Sequence, residues 1–201
     1  MSSIVIAGNT SGAITIAAPA EAGLNTLTLP ASTGTVALTS DISASVTAVQ
    51  THLNTTSSQS ITASTRANIS GLNATITPST TSKRIKVTVR WNGEYSSTVN
   101  YDATFGIKRD TTDIGNPAAD GSRNVGIAII SQGYWAADAD STPDSAMYSY
   151  IDSPATTSAT TYHATYLNKV AANLYNQRTV NDTNNTDSER LTSNIILEEI
   201  D

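Results

Sequence analysis

Between Arg84 and Trp91 the chain alternates without a break. Ile85, Val87, Val89 and Trp91 fall on one face of an extended strand, and Lys86, Thr88 and Arg90 on the other. Successive side chains of a strand point to opposite sides, so this spacing specifies a sheet with one dry face and one wet face. A helix cannot use it, because its same-face neighbours recur every three to four residues. Weaker versions of the pattern occur at 63–69, 72–77, 99–108, 124–130, 146–151, 161–167, 170–175 and 194–200. About eight short strands with no helix between them predict an all-β sandwich over residues 57–201. The segments 110–122 and 136–145 are longer than turns require.

Composition agrees. Charged residues make up 14% of the 201-residue chain, against about 25% in an ordinary soluble domain. Helical bundles need Glu and Lys on their wet faces, whereas here Ser and Thr supply the polar positions. The net charge of −6 is the wrong sign for a protein that neutralises phosphates, so nucleic acid and anionic membrane are not expected partners. With no Cys, thiolate chemistry and disulfides are excluded. No apolar run approaches the roughly 18 residues of a membrane span. The opening Met1-Ser-Ser-Ile-Val-Ile-Ala-Gly lacks the basic n-region of a signal peptide.

Charge is unevenly placed. No Lys or Arg precedes Arg66, and Glu21 and Asp41 are the only carboxylates in that stretch. Residues 1–40 read as four short strands, 3–7, 13–17, 26–29 and 35–38, separated by Gly- and Pro-containing turns. Such a unit buries too little apolar surface to stand alone, so association with identical copies is expected. Next, Ile42, Val46, Val49 and Leu53 are spaced 4, 3, 4, with Ser40 or Asp41 in place to cap a helix. That spacing fits either a coiled-coil seam or an ordinary amphipathic connecting helix. Read as a seam, its β-branched d positions favour three or four strands over two. The expected organisation is therefore a 1–40 β module, a 41–56 helical stalk or linker, and a 57–201 head.

The two histidines, His52 and His163, offer no nucleophilic triad, and Gly8-Asn-Thr-Ser-Gly12 lacks the Lys of a phosphate loop. Asp138, Asp140 and Asp144 alternate in one loop, where they can wrap Ca²⁺ or simply form a solvated acidic surface. A glycosidase carboxylate pair is the remaining reading of that loop. Tyr134, Trp135, Tyr148 and Tyr150 neighbour those aspartates. Their rings can stack on sugars while Asp138 and Asp140 accept from hydroxyls; alternatively they pack in the core or at a subunit interface. No cofactor is indicated.

Several strings carry a resemblance. Thr10-Ser-Gly-Ala-Ile-Thr-Ile-Ala-Ala-Pro19, Gly23-Leu-Asn-Thr-Leu-Thr-Leu-Pro30 and Thr33-Gly-Thr-Val-Ala-Leu38 come first. Gly71-Leu-Asn-Ala-Thr-Ile-Thr-Pro-Ser-Thr-Thr-Ser-Lys-Arg-Ile85, Ile151-Asp-Ser-Pro-Ala-Thr-Thr-Ser-Ala-Thr-Thr-Tyr162 and Ser193-Asn-Ile-Ile-Leu-Glu-Glu-Ile200 follow in fixed order. Together they resemble marine phage and cyanophage virion proteins of the trimeric fibre type. The resemblance implies a non-enzymatic structural protein on the virion exterior. It would be a homotrimer with interlaced base strands, a short stalk and a C-terminal jelly roll of the tumour-necrosis-factor type. It also implies docking to another virion protein through residues 1–40 and binding of host-surface glycan. The short lead before the module makes a capsid-decorating trimer the alternative, and a polysaccharide-degrading tailspike the third possibility.

Overall fold

The computed structural model describes residues 3–7, 13–17, 47–53, 55–96, 103–130 and 141–201. The chain divides into two units, Met1–Ala44 and Ser45–Asp201. In the first, β1 (Ser3–Ala7) pairs antiparallel with β2 (Ala13–Ala17), with Ile4 opposite Ile16 and Ile6 opposite Ile14. These bounds are those expected from the sequence. The other two strands expected there, 26–29 and 35–38, and the seam residues Ile42 and Val46 lie outside the described residues.

The second unit holds β3 (Ala48–His52), β4 (Ser57–Ile61), β5 (Ala67–Ile76), β6 (Arg84–Tyr95), β7 (Thr104–Arg109), β8 (Thr112–Ile114), β9 (Asp144–Asp152), β10 (Thr160–Leu167), β11 (Ala172–Asn176) and β12 (Asn194–Ile200). Among the described residues there is no helix. Pairing is nested: β7 with β8, β6 with β9, β5 with β10, β4 with β11 and β3 with β12, all antiparallel. The strands form two sheets, β5-β10-β7-β8 and β3-β12-β6-β11-β4, with β9 also paired to β6. The all-β expectation is met, as two antiparallel sheets facing each other across a core.

Strand β6 shows why the sequence folds this way. Its alternation puts Ile85, Val87, Val89 and Trp91 inside, each fully buried. Burying a side chain of this size contributes about 1.5–3 kcal/mol. From the opposite sheet come Phe105, Ile107, Tyr162 and Tyr166, also fully buried. Phe105 sits 5.1 Å from Trp91 and meets Tyr166 edge-on at 5.3 Å. Polar ends of the large rings find partners inside the sandwich. Trp91 Nε1 donates to Asn176 Oδ1 at 2.8 Å, and Asn176 Nδ2 donates to Ser57 Oγ at 3.0 Å. The Tyr162 hydroxyl donates to Asp152 Oδ2 at 2.8 Å, where Arg109 Nη1 also reaches the carboxylate at 2.9 Å. These bonds satisfy groups that would be costly to bury alone.

Three expectations are corrected here. Residues 48–52, expected in a helical stalk, form β3 and belong to the larger sheet, pairing with β12 from Glu198↔Ala48 to Asn194↔His52. Ser, Thr and Val are poor helix formers, and hydrogen bonding to the edge of β12 outweighs an isolated two-turn helix. The strands expected at 63–69 and 72–77 are one, β5, interrupted by a bulge. Gly71 takes φ +77° there and Gln59 bridges the gap, its Nε2 donating to Asn68 O and its Oε1 accepting from Ser70 N. The segment 124–130 is no strand; it makes a single bridge, Phe105↔Ala128.

Gly93 marks the tightest approach. A Cβ there would lie 2.0 Å from Tyr175 O and 2.9 Å from the Trp91 ring. Gly93→Ala should therefore force β11 off β6 and lower stability by about 3 kcal/mol, the upper end of the usual overpacking cost. Urea unfolding followed by Trp fluorescence checks this: a loss below about 0.5 kcal/mol, the size of an ordinary surface substitution, would contradict it.

Candidate functional site

Of the residues read from sequence as ligand contacts, Tyr134, Trp135, Asp138 and Asp140 lie outside the described residues. The calcium reading of Asp138, Asp140 and Asp144 therefore has one described member. Asp144 opens β9 and is buried, on the inward side of that strand. Its charge acts with burial to push the Tyr166 phenol above its ordinary range, burial being the larger cause.

Tyr148 is a core residue, and the expectation of a ligand contact is corrected. It is 7% exposed and its hydroxyl donates across the sandwich to Gly106 O at 3.0 Å. Its ring lies 6.2 Å from Phe105. Tyr150 is half-buried, its ring so close over Gly115 that a Cβ there would come within 2.8 Å. Both tyrosines share the inward side of β9, and Met147, Ser149 and Ile151 take the outward side. Val49 and Leu53 are partly buried against the core rather than forming a stalk, and Leu53 packs over Gly71.

The described residues do bring together a different site. A cavity of about 610 Å³ is lined by Ser64, Thr104, Ser122, Arg123, Asn124, Ile129 and Lys169, with Ala103 at its wall. Ser64 sits in the turn between β4 and β5 at φ +52°, an uncommon conformation for a residue with a side chain. Its N–H donates to Asn168 O at 2.7 Å and its Oγ to Lys169 O at 3.3 Å. The β4–β5 and β10–β11 turns are thus stapled together, and Lys169 is carried to the cavity edge. Residues 124–129 are held by Ile127 N donating to Phe105 O at 2.8 Å and Phe105 N donating to Ala128 O at 2.7 Å.

Beneath the cavity lies Arg66. Its side chain is 6% exposed. Nη1 donates to Thr165 Oγ1 at 3.0 Å, and Nη2 donates to Thr104 Oγ1 at 3.2 Å and also to Val125 O. The guanidinium lies across Gly106, where a Cβ would be 2.7 Å from Nη1. Asp113 stands 3.8 Å from Nε, too far to share a hydrogen bond. Burial pulls the Arg66 pKa below its ordinary value, and Asp113 opposes that pull. At the rim Arg123 is 73% exposed and pairs with Asp120 at 2.7 Å. This arrangement presents cationic groups and hydroxyls to one volume. It can bind an anionic, hydroxyl-bearing ligand.

Sequence reasoning missed this site because its lining comes from four separate turns and strand ends, with no local motif joining them. Among the described residues no group of three His, Asp or Glu is placed to hold a metal ion. His52 is exposed on β3, and His163 is half-buried on β10, in the other sheet. No family model matches the chain, and no curated protein does.

His163 generates a pH prediction. Burial holds its pKa below the ordinary value; Lys108 adds to that and Asp110 opposes it. The unfolded chain therefore binds this proton more readily than the folded one, and stability falls as pH drops from about 6.5 through the depressed native value. Urea titrations of wild type and His163→Gln between neutral and mildly acidic pH should show a smaller loss in the variant. Identical slopes would contradict the assignment.

Proposed function

We propose that the protein is a non-enzymatic phage virion component, displayed as a homotrimer on the particle exterior and engaging glycans of the host surface. The ordered sequence strings support this. So does the nested strand pairing, which is how a jelly roll wraps. Residues 1–40 serve as the base that docks on another virion protein and interlaces with its copies; a lone two-stranded hairpin such as β1–β2 is marginal in water.

One observation supports association between copies. The outer face of the larger sheet exposes Met147 (73%) and Ile151 (46%), alongside the half-buried Ile196 and Ile200 of β12. The register sets Thr88 between Ser149 and Ile196, and Lys86 between Ile151 and Glu198. A shallow cavity of about 380 Å³, lined in part by Lys86, Thr88 and Met147, opens on this face. Apolar side chains around one Lys86–Glu198 ion pair (2.8 Å) make a patch that a copy of the chain can cover.

Native mass measurement tests the reading. The full chain should run at three times its 21.0 kDa mass. Met147→Glu with Ile151→Glu should yield monomers with unchanged far-UV circular dichroism. A monomeric wild type would overturn the proposal, as would a trimer indifferent to both substitutions for the interface assigned here. Adhesion of the recombinant trimer to host cells tests the display role.

A further inference from the structure

We infer that the cavity above Arg66 is a binding site for a carboxylated sugar unit, the uronic acid residue of an acidic surface polysaccharide. This rests on the glycan-binding reading above and assigns it a place and a ligand class.

The electrostatics single the cavity out. The chain carries −6 net charge and only eleven basic residues, none before Arg66. Three of the eleven converge here. Arg123 and Lys169 line the cavity, and Arg66 lies one hydroxyl below it, hydrogen-bonded to the lining Thr104. The Arg66 charge is fixed, being held by Thr165, Thr104 and Val125. It costs no reorganisation when an anion arrives, and in a poorly solvated position it acts at longer range than an exposed charge. Asp113 offsets it only partly, from 3.8 Å and with 42% of its own side chain in solvent.

The rim supplies the exchangeable charge. Arg123 and Asp120 pair while 73% and 80% exposed, and such pairs contribute little net stability. A ligand carboxylate can therefore replace Asp120 on the guanidinium, whose planar fork matches a carboxylate geometrically. The rest of the lining fits a sugar ring. Ser122 offers a hydroxyl for hydroxyl partners, and Ile129, 72% exposed, offers an apolar contact for the ring's C–H face. The volume of about 610 Å³ lies within the usual range for a small-ligand site. A neutral sugar could accept hydrogen bonds from these groups but would leave their charge unused.

The test uses the full-length protein and isothermal titration with oligogalacturonate and with the same oligosaccharide fully methyl-esterified, which keeps the shape and removes the charge. The acid should bind at least about tenfold more tightly than the ester, and more weakly as salt rises. Arg123→Ala with Lys169→Ala should weaken acid binding at least about tenfold, since both side chains are exposed and neither supports the core. Lys108→Ala, which removes a single positive charge on β7 outside the cavity lining, should leave it unchanged. Equal affinity for acid and ester, or binding untouched by the double substitution, would overturn the inference. Host-cell adhesion that persists in the double variant would overturn it too, while leaving the glycan-binding reading standing. Absence of both oligosaccharide binding and cell adhesion would overturn the two together.

Discussion

The structure depends on β6 having both of its edges occupied. Twelve residues long, it pairs with β9 from Ile85 to Gly93 along one edge. Along the other it pairs with β12 up to Arg90 and with β11 from Gly93. Because β9 and β11 both pair with Gly93, they must lie on opposite sides of it. The inward residues Ile85, Val87, Val89 and Trp91 are therefore flanked on both sides by neighbouring strands, and Phe105 and Tyr166 meet the rings of Trp91 and Tyr95 from the opposite sheet. The surrounding features follow from that need. Gly93 must lack a side chain for Tyr175 to pass close by, and Asn176 must be polar to receive the Trp91 N–H.

A chain with one Phe and eight Tyr builds its core from rings that bring hydroxyls with them. Two of these hydroxyls are used as ties between the sheets. Tyr148 reaches Gly106 O on β7, and Tyr162 reaches Asp152 on β9. Each tie fixes the sliding of one sheet over the other more sharply than apolar packing can, because a hydrogen bond is directional. The same economy brings Arg66 indoors. Its guanidinium satisfies backbone and hydroxyl groups between β7, β10 and residues 122–129, and only as a consequence does it charge the cavity above it.

Much of the head was legible from alternation alone. Residues 194–200 show it: they were read with the bounds the structure gives, because Ile195 and Leu197 share one face within a short β-branched run. Where hydroxyls replace aliphatics, the signal vanishes. Ser57–Ile61 is a strand of Ser and Gln whose only apolar inward residue is Ile61, too few for a period to show. In Ala48–His52 the inward pair is Val49 and Thr51, and with Thr silent the remaining apolar residues mimic a heptad. Strand β9 was legible as a strand but not as to which side faces in, since Tyr148 and Tyr150 compete with Met147 and Ile151. Tyr148 is inside because an acceptor, Gly106 O, awaits its hydroxyl there. The cavity was not legible at all, because it depends on which turns meet in space.

The nested pairing also dictates a timetable. The hairpin of β7 and β8 closes over the two residues Asp110 and Thr111, whereas β3 finds β12 only after a loop of nearly the whole head has been gathered. Closure entropy grows with each layer, so the innermost hairpin can form early and the outermost pair forms late. Until residues 194–200 leave the ribosome, β3 and the 84–90 stretch of β6 each present a bare edge, the kind of surface on which unfinished chains stick to one another. A polypeptide stopped a few codons short would thus lose a strand from the middle of its larger sheet rather than a dispensable tail.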